Sequence, residues 1–193
     1  YINGLLFFTD KTMSDNYARP QIALHWLTVL LLTVAYATIE LRGFAQRGSW
    51  QGFAMIITHF SAGFGVLLVM LARIFLRFRH RSPAIAPPIA SWQKGLSHLV
   101  HATLYALFIV LPLLGLSSRY LSGRQWWLFG ATMPVSANPD PALARTLIHW
   151  HETLAPLGYW LIGLHALAAL FHHYFLKDDT LARMMPARRA TKP

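Results

Sequence analysis

The run from His149 to Leu176, entered through Leu147 and Ile148, constrains this chain more than any other stretch: LIHWHETLAPLGYWLIGLHALAALFHHYFL. It is nearly all apolar and long enough to cross a bilayer, which takes about 20 such residues in a helix. Yet it carries His149, His151, His165, His172 and His173. An ionisable group in lipid is costly, so such residues turn to a bundle interior and mark function. His151 and His165 are 14 residues apart, two heptads, and in a bundle they face the same seam. At about 1.5 Å per residue they lie roughly 21 Å apart along the axis. One helix therefore offers an imidazole to the interior near each side of a membrane. Two metal-bearing cofactors stacked across a bilayer require that arrangement.

Composition supports the membrane reading. The chain has 193 residues, 55% hydrophobic and 12% charged, which lies outside the soluble-globular norm. It has no cysteine, which excludes a disulfide scaffold, an iron–sulfur site, a cysteine-based zinc site and a c-type haem attachment. Ten histidines stand against seven acids, and a non-covalent metal cofactor is a natural use for them. The net charge of +10 sits at the ends of apolar runs. That is the positive-inside pattern of a membrane protein among lipids, not a nucleic-acid surface.

Residues 1–19 read as an N-terminal leader without a cleavable signal, because its apolar part (Gly4 to Phe8) is short and no basic region precedes it. Met13 reads as a start, with residues 1–12 as an upstream extension. Residues 20–176 form the four-span domain. The first span runs from about Pro20 to Leu41 and places His25 within two turns of its start. The second, about Gly52 to Leu76, places His59 likewise, with Gly63 and Gly65 just after. Those glycines serve either a smooth surface for a flat cofactor or close helix packing. The third span, about Gly95 to Ser118, carries His98, His101 and a mid-span Pro112. The loop from Arg119 to Arg145 includes RQWWLFGATMP, which reads as a segment lying at the headgroup level. Residues 177–193 form a basic tail.

The leader, the second loop with Arg73, and the tail hold 12 of the 17 Lys and Arg; the first and third loops hold five. Both termini are therefore expected in the cytoplasm. The fold expected is all-α: an integral membrane four-helix bundle. With orientation assigned, His25 and His165 fall near the cytoplasmic face, and His59 and His151 near the outer face. Paired imidazoles at matched depth are what a six-coordinate b-type haem needs, and filled axial positions favour electron transfer. His98 and His101 rival His25, since they lie at similar depth and spacing does not separate them. His149 and His173 fall off the seam. His172, seven residues past His165, is placed as a neighbour of the inner cofactor or as a proton-handling ligand to a quinone.

The segments PQIALHW, ITHFSAGFGVLLVMLARI, SWQKGLSHLVHATLYALFIVLPLLG, WHETLAPLGYWLIGLHALAALFHHYF and LARMMP follow in order from about Tyr17 to Pro186. In them the chain resembles the bacterial cytochrome b561 family, and within it the members that oxidise superoxide. The resemblance implies a four-helix protein of the bacterial inner membrane binding two b-type haems stacked across it. It implies His25 and His165 as ligands of the inner haem iron and His59 and His151 as ligands of the outer one, with His98 and His101 as non-ligands. It further implies electrons passing from superoxide outside to ubiquinone, with His172 at the quinone. The 12-residue leader and the third loop depart from the family pattern.

The reaction expected is superoxide:ubiquinone oxidoreduction. Arg42, Arg47, Arg119, Arg124 and Arg145 outnumber Glu40, Asp140 and Glu152 on the outer side, an imbalance that draws in an anion. These arginines equally suit haem propionates or lipid phosphates, as do Arg19, Arg73 and Arg77 on the other side. A rival assignment keeps the haems and makes the chain the cytochrome b subunit of a hydrogenase- or dehydrogenase-type complex. The loops look short for docking a soluble subunit, so no obligatory protein partner is expected. A proton or metal transporter would place acids within the spans around a broken midplane. Glu40 and Glu152 lie at span ends instead.

Overall fold

The computed structural model describes residues 17–185 apart from 81, 82, 84 and 87; the proposed start at Met13 and the end of the tail lie outside the described residues. Four helices dominate: α1 (Arg19–Leu41), α2 (Trp50–Arg79), α3 (Ser91–Leu121) and α4 (Pro141–Phe171). Each is long and apolar enough to cross a membrane. Their starts follow local chemistry. Ser49 Oγ accepts from the Gly52 N–H at α2. At α4, Asp140 Oδ1 accepts from the N–H groups of Ala142 and Leu143, and Pro141 sits where its missing donor costs nothing. That cap starts α4 eight residues before the expected span, so the end of the third loop is helix. Hydroxyls inside the spans, such as buried Thr28 and outward-facing Thr33 and Thr103, donate to the carbonyl four residues back, which satisfies them without water.

Helix α1 packs along α2, α2 along α3, and α3 along α4. Val66, Met70, Leu107, Phe108 and Leu111 form the buried centre. Leu30, Leu68, Leu113, Trp160 and Leu167 point outward, as lipid-facing side chains must when the bundle has no aqueous flank. Helices α1 and α4 stand further apart and meet through tyrosines: Tyr36 Oη donates to the Ala155 carbonyl at 2.9 Å and Tyr159 Oη to Glu40 at 2.7 Å.

The two ends of the bundle are closed differently. At one end the loop expected at the headgroup level contains a hairpin, β1 (Trp126–Leu128) with β2 (Ala131–Met133). Phe129 and Gly130 take positive φ at its tip, the backbone that a two-residue hairpin turn with matching twist demands. Its Phe129 N–H donates to Ser61 Oγ on α2 at 2.8 Å, and Trp126 and Leu128 are buried. We call this the hairpin end. At the other, the basal end, a π turn (His172–Leu176) follows α4 and Lys177 adopts left-handed backbone. The chain then folds back as a strap over residues 177–185. Asp179 and Ala86 exchange two hydrogen bonds, Arg183 donates to the Pro83 carbonyl at 2.7 Å, and Trp26 Nε1 donates to the Met184 carbonyl at 2.9 Å. The first part of the expected tail is thus docked on the bundle.

Candidate histidine sites at the two ends

Helices α2 and α4 bring His59 and His151 together with ring centres 6.1 Å apart and planes at 85°. Helices α1 and α4 bring His25 and His165 to 6.3 Å with planes at 65°. With a metal–imidazole bond of about 2.0–2.1 Å, two imidazoles trans to one metal have ring centres about 6 Å apart. Both pairs match that spacing. Nothing in the packing of bare imidazoles demands it twice.

At the hairpin end, His59 Nδ1 lies 2.8 Å from the Ala35 carbonyl, and His151 Nδ1 lies 2.8 Å from the Leu111 carbonyl. A carbonyl only accepts, so both rings carry the proton on Nδ1 and keep Nε2 bare. Metal-bound histidines have the same arrangement, because the outer hydrogen bond fixes tautomer and ring orientation. Both rings line a cleft of about 270 Å³ whose walls include Ala35, Tyr36, Val66, Phe108 and Leu111. The two glycines of α2 divide between the two roles open to them. A Cβ at Gly63, on the cleft wall, would meet nothing, which leaves a flat surface; one at Gly65 would touch Leu31 at 3.3 Å, which is helix packing. Two further glycines fit the site closely. A Cβ at Gly115 would lie 3.2 Å from His151 Nδ1, and one at Gly158 would overlap Tyr36 Oη.

The basal end is more polar. Arg73 of α2 reaches into it, donating to Thr28 Oγ1 at 3.1 Å and to His25 Nδ1 at 3.3 Å, with its guanidinium 5.4 Å from the Tyr105 ring centre. A guanidinium only donates, so His25 Nδ1 is the acceptor and Nε2 carries the proton. His25 is therefore held in the opposite tautomer to His59 and His151. The third helix adds His101, whose Nδ1 lies 2.6 Å from the Ser97 carbonyl and whose ring centre is 5.1 Å from that of His165. That separation is about 1 Å short for two trans ligands on one metal. His101 therefore belongs to the cluster but pairs poorly with His165. His98 is exposed.

The remaining residues singled out by sequence are dispersed. Arg19 is exposed on the first turn of α1, and His149 is exposed beside Trp150. His173 packs against Tyr174, with ring centres 4.9 Å apart. His172 reaches neither histidine pair in its hydrogen bonding; its Nδ1 contacts Asp178 at 2.5 Å. Sequence reasoning missed Asp178, the Tyr36–Tyr159 contact at 4.4 Å and the backbone carbonyls that set the tautomers. The acid six residues after His172 is a signal for the first. The others depend on helix rotation, which no local pattern gives.

Residues 16–187 match the family described as prokaryotic cytochrome b561. A probable superoxide oxidase CybB from Yersinia pestis is 46% identical over 177 residues, covering 92% of this chain and 99% of that protein. Cytochrome b561 homolog 1 from Escherichia coli is 41% identical, covering 91% and 99%. Cytochrome b562 from Cereibacter sphaeroides is 30% identical, covering 92% and 99%.

Proposed function

The chain belongs to the prokaryotic cytochrome b561 family of multi-pass membrane electron-transfer proteins, and on that premise we propose that it is a superoxide:ubiquinone oxidoreductase holding two b-type haems. Bound haem would supply one-electron redox chemistry at each histidine pair, the chemistry of electron transfer between a donor and an acceptor. The observation that carries the reading is the matched spacing of the two pairs, 6.1 Å and 6.3 Å.

In this reading the bundle lies in the bacterial inner membrane with the basal end in the cytoplasm, as the distribution of Lys and Arg supports. His59 and His151 would hold the outer haem iron through Nε2, their rings oriented by the Ala35 and Leu111 carbonyls. His25 and His165 would hold the inner one. His25 would need a bare ring nitrogen for that, and Arg73, which now donates to its Nδ1, would be free to meet a propionate once that contact is released. Arg19, exposed at the same end, is a second propionate or lipid-phosphate partner. Arg42, Arg47, Arg119, Arg124 and Arg145 raise the local concentration of superoxide at the hairpin end. Arg119, stacked 5.1 Å from the Phe60 ring centre, stands on the residue next to His59. Ubiquinone binds at the basal end by His172. The name of the 46% identical relative supports superoxide as donor.

The test is an optical spectrum of the detergent-purified protein, first oxidised, then exposed to a superoxide-generating system with catalase present. Reduced b-type bands at two haems per chain, reoxidised on adding ubiquinone, are the expected result. Haem reduced only by dithionite and indifferent to superoxide would move the function to a partner-fed electron-transfer subunit.

A further inference from the structure

The π turn and the strap build a histidine–carboxylate pair at the basal end. The left-handed backbone at Lys177 reverses the chain, and two bonds then join the same two residues. The Asp178 N–H donates to the His172 carbonyl at 3.2 Å, while His172 Nδ1 donates to Asp178 Oδ2 at 2.5 Å. The other carboxylate oxygen accepts from the Thr180 N–H at 2.9 Å. The Asp178 side chain is 2% exposed and that of His172 is 19% exposed. The carboxylate is sealed; the imidazole is not. The π turn ends α4 and, with the reversal at Lys177, brings the ring to its carboxylate.

An ionised carboxylate only accepts. It therefore keeps a proton on Nδ1 and leaves Nε2 as the nitrogen that takes up or gives away a proton. An imidazolium formed there has its counter-charge in place. Other groups that carry or can carry charge at this end include Arg19 and His25 on α1, Arg73, Arg77 and Arg79 on α2 with His80 at its end, Lys94, His98 and His101 on α3, His165 on α4, His173 and Lys177 on the turn, and Asp179 with Arg183 on the strap. Among the described hydrogen bonds, Asp178 is the partner of the His172 ring. His172 lies two turns beyond His165 on α4, roughly 10 Å along the axis at 1.5 Å per residue.

We propose that Asp178 is a positioning residue for proton delivery: it holds His172 so that Nε2 passes protons from cytoplasmic water to the quinone reduced at the basal end. The inference rests on the superoxide:ubiquinone reading and extends it to the proton side. Two superoxide anions each give one electron and leave as oxygen. The quinone takes both electrons, and each of its two oxygens gains a proton from Nε2. His172 is recharged from water after each transfer. Asp178 stays ionised throughout, so protons and electrons balance as quinol.

The experiment is stopped-flow reoxidation of the superoxide-reduced haem protein by ubiquinone, for wild type and Asp178→Asn, across pH. Asp178→Asn preserves shape but removes the charge. It is expected to keep its haem and its reduction by superoxide, while reoxidation slows about 10²-fold, the usual share of a positioned proton donor. The alkaline fall in rate should also move to lower pH, because the imidazolium has lost its counter-charge; a purely structural tie would not shift that limb. Normal reoxidation of the variant at every pH, beside a normal wild type, overturns this pair alone. A wild type that ubiquinone does not reoxidise overturns the underlying functional reading with it. If Asp178→Asn fails to assemble, His172→Gln with added imidazole decides: restored reoxidation supports the proposal, and none overturns it.

Discussion

The hairpin end and the basal end hold histidine pairs of nearly equal spacing in unlike surroundings. At the hairpin end both rings are locked by backbone carbonyls within a mostly apolar cleft that Glu40 and Glu152 also line. At the basal end one ring answers to a guanidinium, a third histidine crowds the pair, and a carboxylate-bearing strap closes the floor. A backbone carbonyl cannot move without unwinding a helix, whereas an arginine swings on rotamers. The first pair is thus built to stay as it is, and the second to respond to charge. The proposed quinone acceptor, which consumes protons as well as electrons, is assigned to the second.

The strongest way to break the comparison is to remove the rings one at a time. His59→Ala and His151→Ala should each cost the same haem, leaving one per chain. His25→Ala and His165→Ala should each cost the other. Haem stoichiometry and the low-temperature spectrum of what remains decide it. Loss of a common haem in His25→Ala and His59→Ala would falsify the pairing. His101→Ala should retain both haems, because its ring is about 1 Å too near His165 to be a trans ligand.

A sharper probe of the rigid end is Gly158→Ala. Its Cβ would overlap the Tyr36 hydroxyl, which is tied to the Ala155 carbonyl and packed on Tyr159. The clash is with a side chain held at both ends, so relief needs movement of α1 against α4. A loss of about 1–3 kcal/mol in stability is expected, the usual cost of overpacking. Thermal unfolding of the haem protein would read it, and the spectrum of the basal haem should change least.

The responsive end is probed by Arg73→Met, which fills similar volume without charge. Affinity for the basal haem should fall about tenfold, the lower end of what partners beyond the direct ligands contribute, with the hairpin-end haem unaffected. Arg73→Lys should rescue only partly, since a point charge cannot reproduce a planar fork. Equal loss at both ends would mean that Arg73 is simply a packing residue of α2.

How much of this was legible in the sequence follows the same division. The spans came from hydropathy, and the shared seam of His151 and His165 from their 14-residue interval. Membrane solvent imposes such regularity, because every backbone donor must be paired inside its own helix. Helix α4 was underestimated at its start because the amphipathic stretch from Pro141 to Thr146 lacks apolar density; the Asp140 cap and Pro141, not hydrophobicity, set that boundary. The hairpin hid behind aromatic residues that look interfacial. Its tip needs positive φ at Phe129, where a glycine or asparagine would have announced the turn. The rivalry among His25, His98 and His101 could not be resolved by depth alone. It turns on rotation about the helix axes, which puts the His25 ring 6.3 Å and the His101 ring 5.1 Å from that of His165.

The smallest expected effect concerns the strap and pH. Burial pushes the Asp178 carboxyl up, but donation by His172 and Thr180 outweighs it, and the group ends below the usual carboxylate value. A carboxyl depressed in the folded state contributes stability above its unfolded value of about 3.9. That contribution is lost as pH falls through the lower folded value. Between pH 7 and 5 the strap should therefore stay docked, and below about pH 4 it should begin to loosen as Asp178 takes a proton. Hydrogen exchange at the amides of Asp178 and Thr180 reports this directly. The hairpin supplies the internal reference: its anchors are the Ser61 hydroxyl and the Pro134 carbonyl, neither of which titrates. Asp179 and Arg183 also pair across the strap at 3.2 Å, so part of the acid response belongs to them. Asp178→Asn separates the two shares, since only the Asp179 part survives in it. Exchange in the variant that matches wild type at neutral pH and again on acidification would show that the carboxylate places the imidazole without fastening the strap.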